Sequence, residues 1–197
     1  MNRKTLALII ILVVVVGAYG LFYAAVTTIL MPQDLNEFKN QLDSIPQLPV
    51  NNDSSISEME SAAAVTESMS ALNYLSKDQR TQMASMMRNS AALPPGLDQN
   101  FKDYYAFSSY KVLAYDLTLK GNISNEIKNI SSTYEEITNL GNETLTINQK
   151  MATDFENGDN KAYAADLRNL ASTMKKYNIA MAKLKTQLQN IVKQLEK

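Results

Sequence analysis

Ten apolar side chains near the C-terminus, Tyr163, Leu167, Leu170, Met174, Tyr177, Met181, Leu184, Leu188, Ile191 and Leu195, recur at alternating spacings of 4 and 3 without a miss. Only an α-helix brings such positions onto one line, so the pattern predicts a long helix with a single narrow buried edge. The preceding stretch carries a matching edge: Ile123, Ile127, Ile130, Tyr134 and Ile137, then Leu140, Thr144, Ile147, Met151 and Phe155 after a shift beside Gly141. A slip of this kind locally overwinds or bends a helix. Glu156-Asn157-Gly158-Asp159-Asn160 lies between the two and has room only for a reversal. An antiparallel hairpin follows, each arm about 33 residues and about 50 Å long.

Charge supports that pairing. Residues 161–197 carry eight Lys or Arg against two acids, whereas residues 33–160 carry nine against eighteen. A basic last helix is thereby matched to acidic neighbours. Over the whole chain 19 basic side chains face 20 acidic ones, a net charge of −1, which gives no electrostatic reason to expect nucleic acid as a partner.

At the other end, Thr5 to Met31 is a run of 27 residues without a formal charge. As a helix it measures about 40 Å, more than the ~30 Å of bilayer hydrocarbon, so it predicts a single-pass transmembrane segment with tilt or a protruding end. Arg3 and Lys4 precede the run and Asp34 and Glu37 follow it. The positive-inside bias then places the N-terminus in the cytoplasm and the rest on the far side of the cell membrane. Ala18-Tyr19-Gly20 offers the small residues of a signal-peptide cleavage site, but cleavage there would leave Leu21 to Met31 in water, so the uncleaved signal-anchor is the expectation. Gly20 and Ala24 form a small-xxx-small pair that lets membrane helices approach closely, a pattern that ordinary membrane-helix composition also produces.

Between anchor and hairpin, breakers fall at Pro46 and Pro49 and at Pro94-Pro95-Gly96. Leu35, Phe38, Leu42 and Ile45 predict a short helix that continues the anchor or restarts at Pro32, with Leu48 to Ser55 as a linker. The capping-box patterns Ser55-Ile56-Ser57-Glu58 and Ser76-Lys77-Asp78-Gln79 predict helices over 56–75 and 78–92; the same pattern at Ser132 to Glu135 falls inside the hairpin. A further helix over 98–120 is apolar on two faces. Phe101, Tyr105, Ser108, Val112, Tyr115 and Leu119 form one, and Ala106, Tyr110, Leu113 and Leu117 form another on nearly the opposite side. Such a helix must touch protein on both sides, either as the central helix of the bundle or as an outer helix that meets something else.

The residue inventory restricts chemistry. Without Cys, His or Trp, the chain has no disulfides, no thiolate or imidazole nucleophile and no zinc site of the usual ligands. Glu135 and Glu136 are adjacent and diverge by about 100° on a helix, so they do not converge as an acid/base dyad. Asp154 and Glu156 are the other carboxylates close in sequence. There is no Gly-rich phosphate loop and no Gly-x-Ser-x-Gly elbow. No catalytic residue, cofactor or metal ligand is expected.

Two binding features stand beside ordinary packing. Phe101, Tyr104, Tyr105, Phe107, Tyr110 and Tyr115 put six of the fifteen aromatics on one helix, which could fill a core or line a ligand pocket of Phe101, Tyr104, Tyr105 and Tyr115. Met59, Met69, Met83, Met86 and Met87 suit either a core or an adaptable groove. Asn52, Asn122, Asn129 and Asn142 begin N-glycosylation sequons, about as many as chance produces at this content of Asn, Ser and Thr.

The expected fold is all-α: an N-terminal transmembrane helix, then an elongated antiparallel bundle of about four helices ending in the coiled-coil-like hairpin. Residues 1–31 form the membrane anchor, 32–55 a juxtamembrane helix and linker, and 56–197 the extracytoplasmic bundle. In architecture alone this resembles the anchored helical sensor domains of bacterial chemoreceptors and kinases, although no second apolar span follows Lys197 to return a signal. The function expected is non-catalytic: a scaffold or accessory subunit that meets a protein partner or another copy through Tyr110, Leu113 and Leu117. The alternative is a sensor-like or transporter-accessory module binding a small ligand on helix 98–120.

Overall fold

The computed structural model describes residues 3–44, 52–90 and 109–197, and these contain helices and turns but no strand. In chain order the helices are α1 (Arg3–Ala25), α2 (Met31–Ser44), α3 (Asn52–Met69), α4 (Lys77–Ser90), α5 (109–117), α6 (Gly121–Asn157) and α7 (Asn160–Leu195). The all-α expectation holds. Beyond α1 the described residues form six helices rather than the expected four, because the segments ahead of the hairpin remain separate short helices.

A π-helical turn, Val26–Leu30, joins α1 to α2 without a break. Pro32 accounts for it. Proline has no N–H for the carbonyl of Thr28, and its ring crowds that carbonyl, so a regular α-turn cannot pass this point undisturbed. The chain widens instead, and the Met31 N–H reaches back five residues to the Val26 carbonyl. The hydroxyls of Thr27 and Thr28 donate to the Tyr23 and Ala24 carbonyls of the preceding turn (2.7–3.2 Å). Within this rod, Ile11–Asp43 is long and apolar enough to cross a membrane, and only 6% of its most apolar window is buried, so it is not a core helix.

By Cα proximity the chain forms two compact units. One is drawn from Met1–Ser44, Tyr105–Ile130 and Thr186–Lys197, the other from Ile45–Tyr104 and Ser131–Lys185. The buried side chains of the first include Phe38 on α2, Ala114 and Tyr115 on α5, Ile123, Ile127 and Ile130 on α6, and Leu188, Ile191 and Leu195 on α7.

The second unit is a four-helix arrangement. Ala63 of α3, Met151 of α6 and Ala164, Leu167 and Leu170 of α7 share a core with Met59 and Met87 at its margin. Leu72, Ala84, Ala152 and Phe155 form another core, where the Phe155 and Tyr163 rings meet edge to face at 5.3 Å. The hairpin register is recorded by its polar pairs: Lys150 with Asp166, Glu143 with Thr173, and Glu136 with Lys183. One member rises along α7 as the other falls along α6, the signature of antiparallel arms. Gly158, at φ +73°, makes the reversal that the sequence places there.

The buried edge of α7 is wider than the predicted seam. Ala164, Ala171, Thr173 and Ala180 are buried beside it, since α7 is flanked on two sides rather than one. Other boundaries also move. Helix α3 begins at Asn52, inside the expected linker, so Ser55 to Glu58 lies within a helix and caps nothing. It stops at Met69, where Ser70 turns left-handed (φ 49°) into a 3₁₀ turn, Ala71–Tyr74. The box at Ser76 is real: Ser76 N–H donates to Gln79 Oε1 (2.9 Å), and Gln79 N–H donates to Ser76 Oγ (3.2 Å).

Candidate functional site

Helix α5 has a covered and an open side, but the covered one departs from the expected seam: Val112 is half-buried, and Leu119, expected beside Tyr115, is exposed. Lys111, Ala114, Tyr115 and Thr118 point inward and are buried. Lys111 and Tyr115 are four residues apart and so project from the same side. Both meet α2: Lys111 Nζ lies 2.6 Å from Glu37 Oε2 and 3.0 Å from Asp34 Oδ1, and the Tyr115 hydroxyl donates to Asp34 Oδ2 at 2.7 Å. The Lys111 ammonium also stands 5.6 Å above the Phe38 ring.

Burial pushes the Asp34 carboxyl above its usual range, against the opposing pull of the Tyr115 hydroxyl and the Lys111 ammonium. Burial alone would lower Lys111, but the Glu37 and Asp34 carboxylates outweigh it and hold the amine above its ordinary value. Burial, then the Asp34 carboxylate, raise Tyr115, so its hydroxyl stays a fixed donor. An ammonium held this way has no lone pair to offer as base or nucleophile. The cluster locks α5 to α2.

The opposite face of α5 is open. Tyr110 is 60% exposed, Leu113 57% and Leu117 50%. Thus the three residues expected to meet a partner share one uncovered face, while Tyr115 turns its hydroxyl to Asp34. Phe101, Tyr104 and Tyr105 lie outside the described residues. On α1, a side chain at Gly20 would meet nothing within 4 Å, and Ala24 is exposed. The methionines divide, Met59 and Met87 against the core and Met69, Met83 and Met86 outward. Asn122, Asn129 and Asn142 are exposed on α6.

Carboxylates considered together in the sequence part company. Asp154 approaches Lys150 (3.3 Å), which also holds the buried Asp166 (2.7 Å), whereas Glu156 pairs with Arg88 (2.7 Å). Sequence reasoning missed the Asp34, Lys111 and Tyr115 cluster. Its one local signal is the i, i+4 spacing of Lys111 and Tyr115, which does not name a partner some 80 positions away.

No protein-family model, no curated protein and no solved structure matches the chain.

Proposed function

We propose that this chain is a membrane-tethered, non-catalytic interaction module. Helix α1 crosses the cell membrane with its N-terminus in the cytoplasm, and the helices beyond it present a recognition surface on the far side. The observation that carries this reading is α5: a buried ion pair fixes one face to the continuation of the apolar helix, and Tyr110, Leu113 and Leu117 stand uncovered on the other. Exposed apolar residues grouped on a rigid element mark a contact surface.

Because the chain has no cysteine, single substitutions give clean labelling sites. In intact cells, Asn40→Cys on exposed α2 reacts with a membrane-impermeant maleimide, and Leu113→Cys reacts at least several-fold more slowly because its face is covered. No labelling of Asn40→Cys from outside overturns the topology. Equal rates at both sites overturn the contact surface.

A further inference from the structure

The Tyr19 hydroxyl of α1 donates to the Leu117 carbonyl at 3.1 Å. Tyr19 precedes Met31 by 12 residues, about 18 Å along a helix axis, and its side chain spans well under half of that. Leu117 therefore stands beside the uncharged run, not beyond its end. If the hydrocarbon begins at Thr5, about 20 residues carry the helix across it, and the boundary on the exported side falls near Ala24. Tyr19 lies five residues, about 8 Å, short of that boundary, so the C-terminal end of α5 is held in the outer part of the exported-side leaflet, within reach of its headgroups.

What the corner between α5 and α6 exposes fits that depth. Leu119 is 88% exposed and follows Leu113 and Leu117 on the open side. It also sits in the left-handed region, at φ 60°. The Leu119 N–H donates to the Asp116 carbonyl and the Lys120 N–H to the Tyr115 carbonyl, the hydrogen-bond pair that closes a helix around a left-handed residue. The other long corner uses Gly158 for that position. A leucine here is strained in its backbone and stripped of packing, two penalties that water would leave uncompensated. Lipid removes the second. Two cations lie beside it: Lys120 and Lys197 line a shallow groove with Leu119, and of the acids nearby Asp116 is paired with Lys128 (3.4 Å) and Glu196 with Lys39 (2.8 Å).

We propose that the corner between α5 and α6 is a membrane seat, with Leu113, Leu117 and Leu119 lodged in the exported-side leaflet of the bilayer that α1 crosses and Lys120 and Lys197 at its phosphates. This names a lipid surface as the cover of the α5 face, and it rests on the reading of α1 as a span.

The absence of tryptophan makes depth measurable, since any introduced Trp is the sole one. The full-length chain is reconstituted in phosphatidylcholine and phosphatidylglycerol vesicles whose acyl chains carry bromine, with Trp at Leu119, Leu117, Val14 or Asn40. Expected are at least twofold quenching at Leu119→Trp and Leu117→Trp, strongest with bromine near the headgroup, strong quenching at Val14→Trp, and none at Asn40→Trp. If Val14→Trp is quenched while both corner positions behave like Asn40→Trp, the seat is overturned and the span stands; if Val14→Trp is unquenched, the span itself fails. Corner emission that is indifferent to bromine but shifts blue with protein concentration assigns the face to a second copy and overturns the seat. As a second variant, Leu119→Gly relieves the backbone. It is expected to melt no lower than the parent in detergent and to lose at least half of the quenching at Leu117→Trp; unchanged quenching there overturns the role of Leu119.

Discussion

Lys111 Nζ lies 3.0 Å from Asp34 Oδ1, with the two side chains 7% and 2% exposed, which ties a helix beyond residue 100 to the first acid after the apolar run. Two charges taken out of water together are tolerable, but one alone is not.

Lys111→Met should accordingly cost about 3–5 kcal/mol at pH 7, as expected for breaking a buried pair from one side. The pH dependence has a definite sign. Asp34 is already raised in the folded chain, and loss of the ammonium raises it further. A raised folded-state pKa contributes stability that is present in acid and lost as pH climbs through it. The deficit should therefore shrink between pH 7 and pH 4, read by thermal melts in detergent, and equal deficits at both would contradict the account.

Tyr115→Phe removes the donor at 2.7 Å from Asp34 and leaves that oxygen buried without it. The expected loss is about 1–3 kcal/mol. By contrast Leu113→Ala, next to the buried Ala114 in sequence but on the uncovered side of α5, should change the detergent-solubilised protein by no more than about 0.5 kcal/mol. Urea titration of the two variants side by side distinguishes the faces.

Gly158→Ala puts a β-carbon into a left-handed turn and within 3.1 Å of the Arg80 guanidinium carbon. That guanidinium donates to the carbonyls of Leu72, Leu75 and Glu156 and has little freedom to retreat. A loss of about 1–3 kcal/mol is expected. Since the two residues touch, the double variant with Arg80→Ala should depart from additivity in a double-mutant cycle.

Lys183→Ala tests the charge matching of the hairpin. Its partner Glu136 is 3.3 Å away and both are half exposed. Such a pair contributes about 0–1 kcal/mol. A larger change in melting at low salt would mean that the arms are aligned by charge more than by their apolar seams.

The hairpin was legible because its information is local: a 3.5-residue repeat, a Gly-containing reversal and a repeat again. The lock on α5 was not, because Asp34, Lys111 and Tyr115 have no periodicity in common and their meeting depends on how distant helices fold together. Asn52, Asp53 and Ser54 read as linker residues although residue types of this kind also suit the start of a helix, and α3 begins at Asn52. The width of the α7 edge escaped for another reason. Alanine and threonine are at home inside and outside alike, so Ala164, Ala171 and Thr173 gave no sign of being covered. The face of Tyr110, Leu113 and Leu117 on α5 was readable, but the covered side was not, because the polar Lys111 and Thr118 lie on it and Leu119 does not.

The π turn at Val26–Leu30 sets an angle. Each residue advances a regular helix by about 100°, so a turn that closes over five residues swings everything after it around the rod relative to everything before. A chain one residue shorter between Ala25 and Met31 would still traverse the same oily slab. It would, however, offer a different flank of α2 to α5 and carry Asp34 away from Lys111. This short joint thus acts as a keyed coupling between two shafts, fixing how the tether is clocked against the assembly it holds.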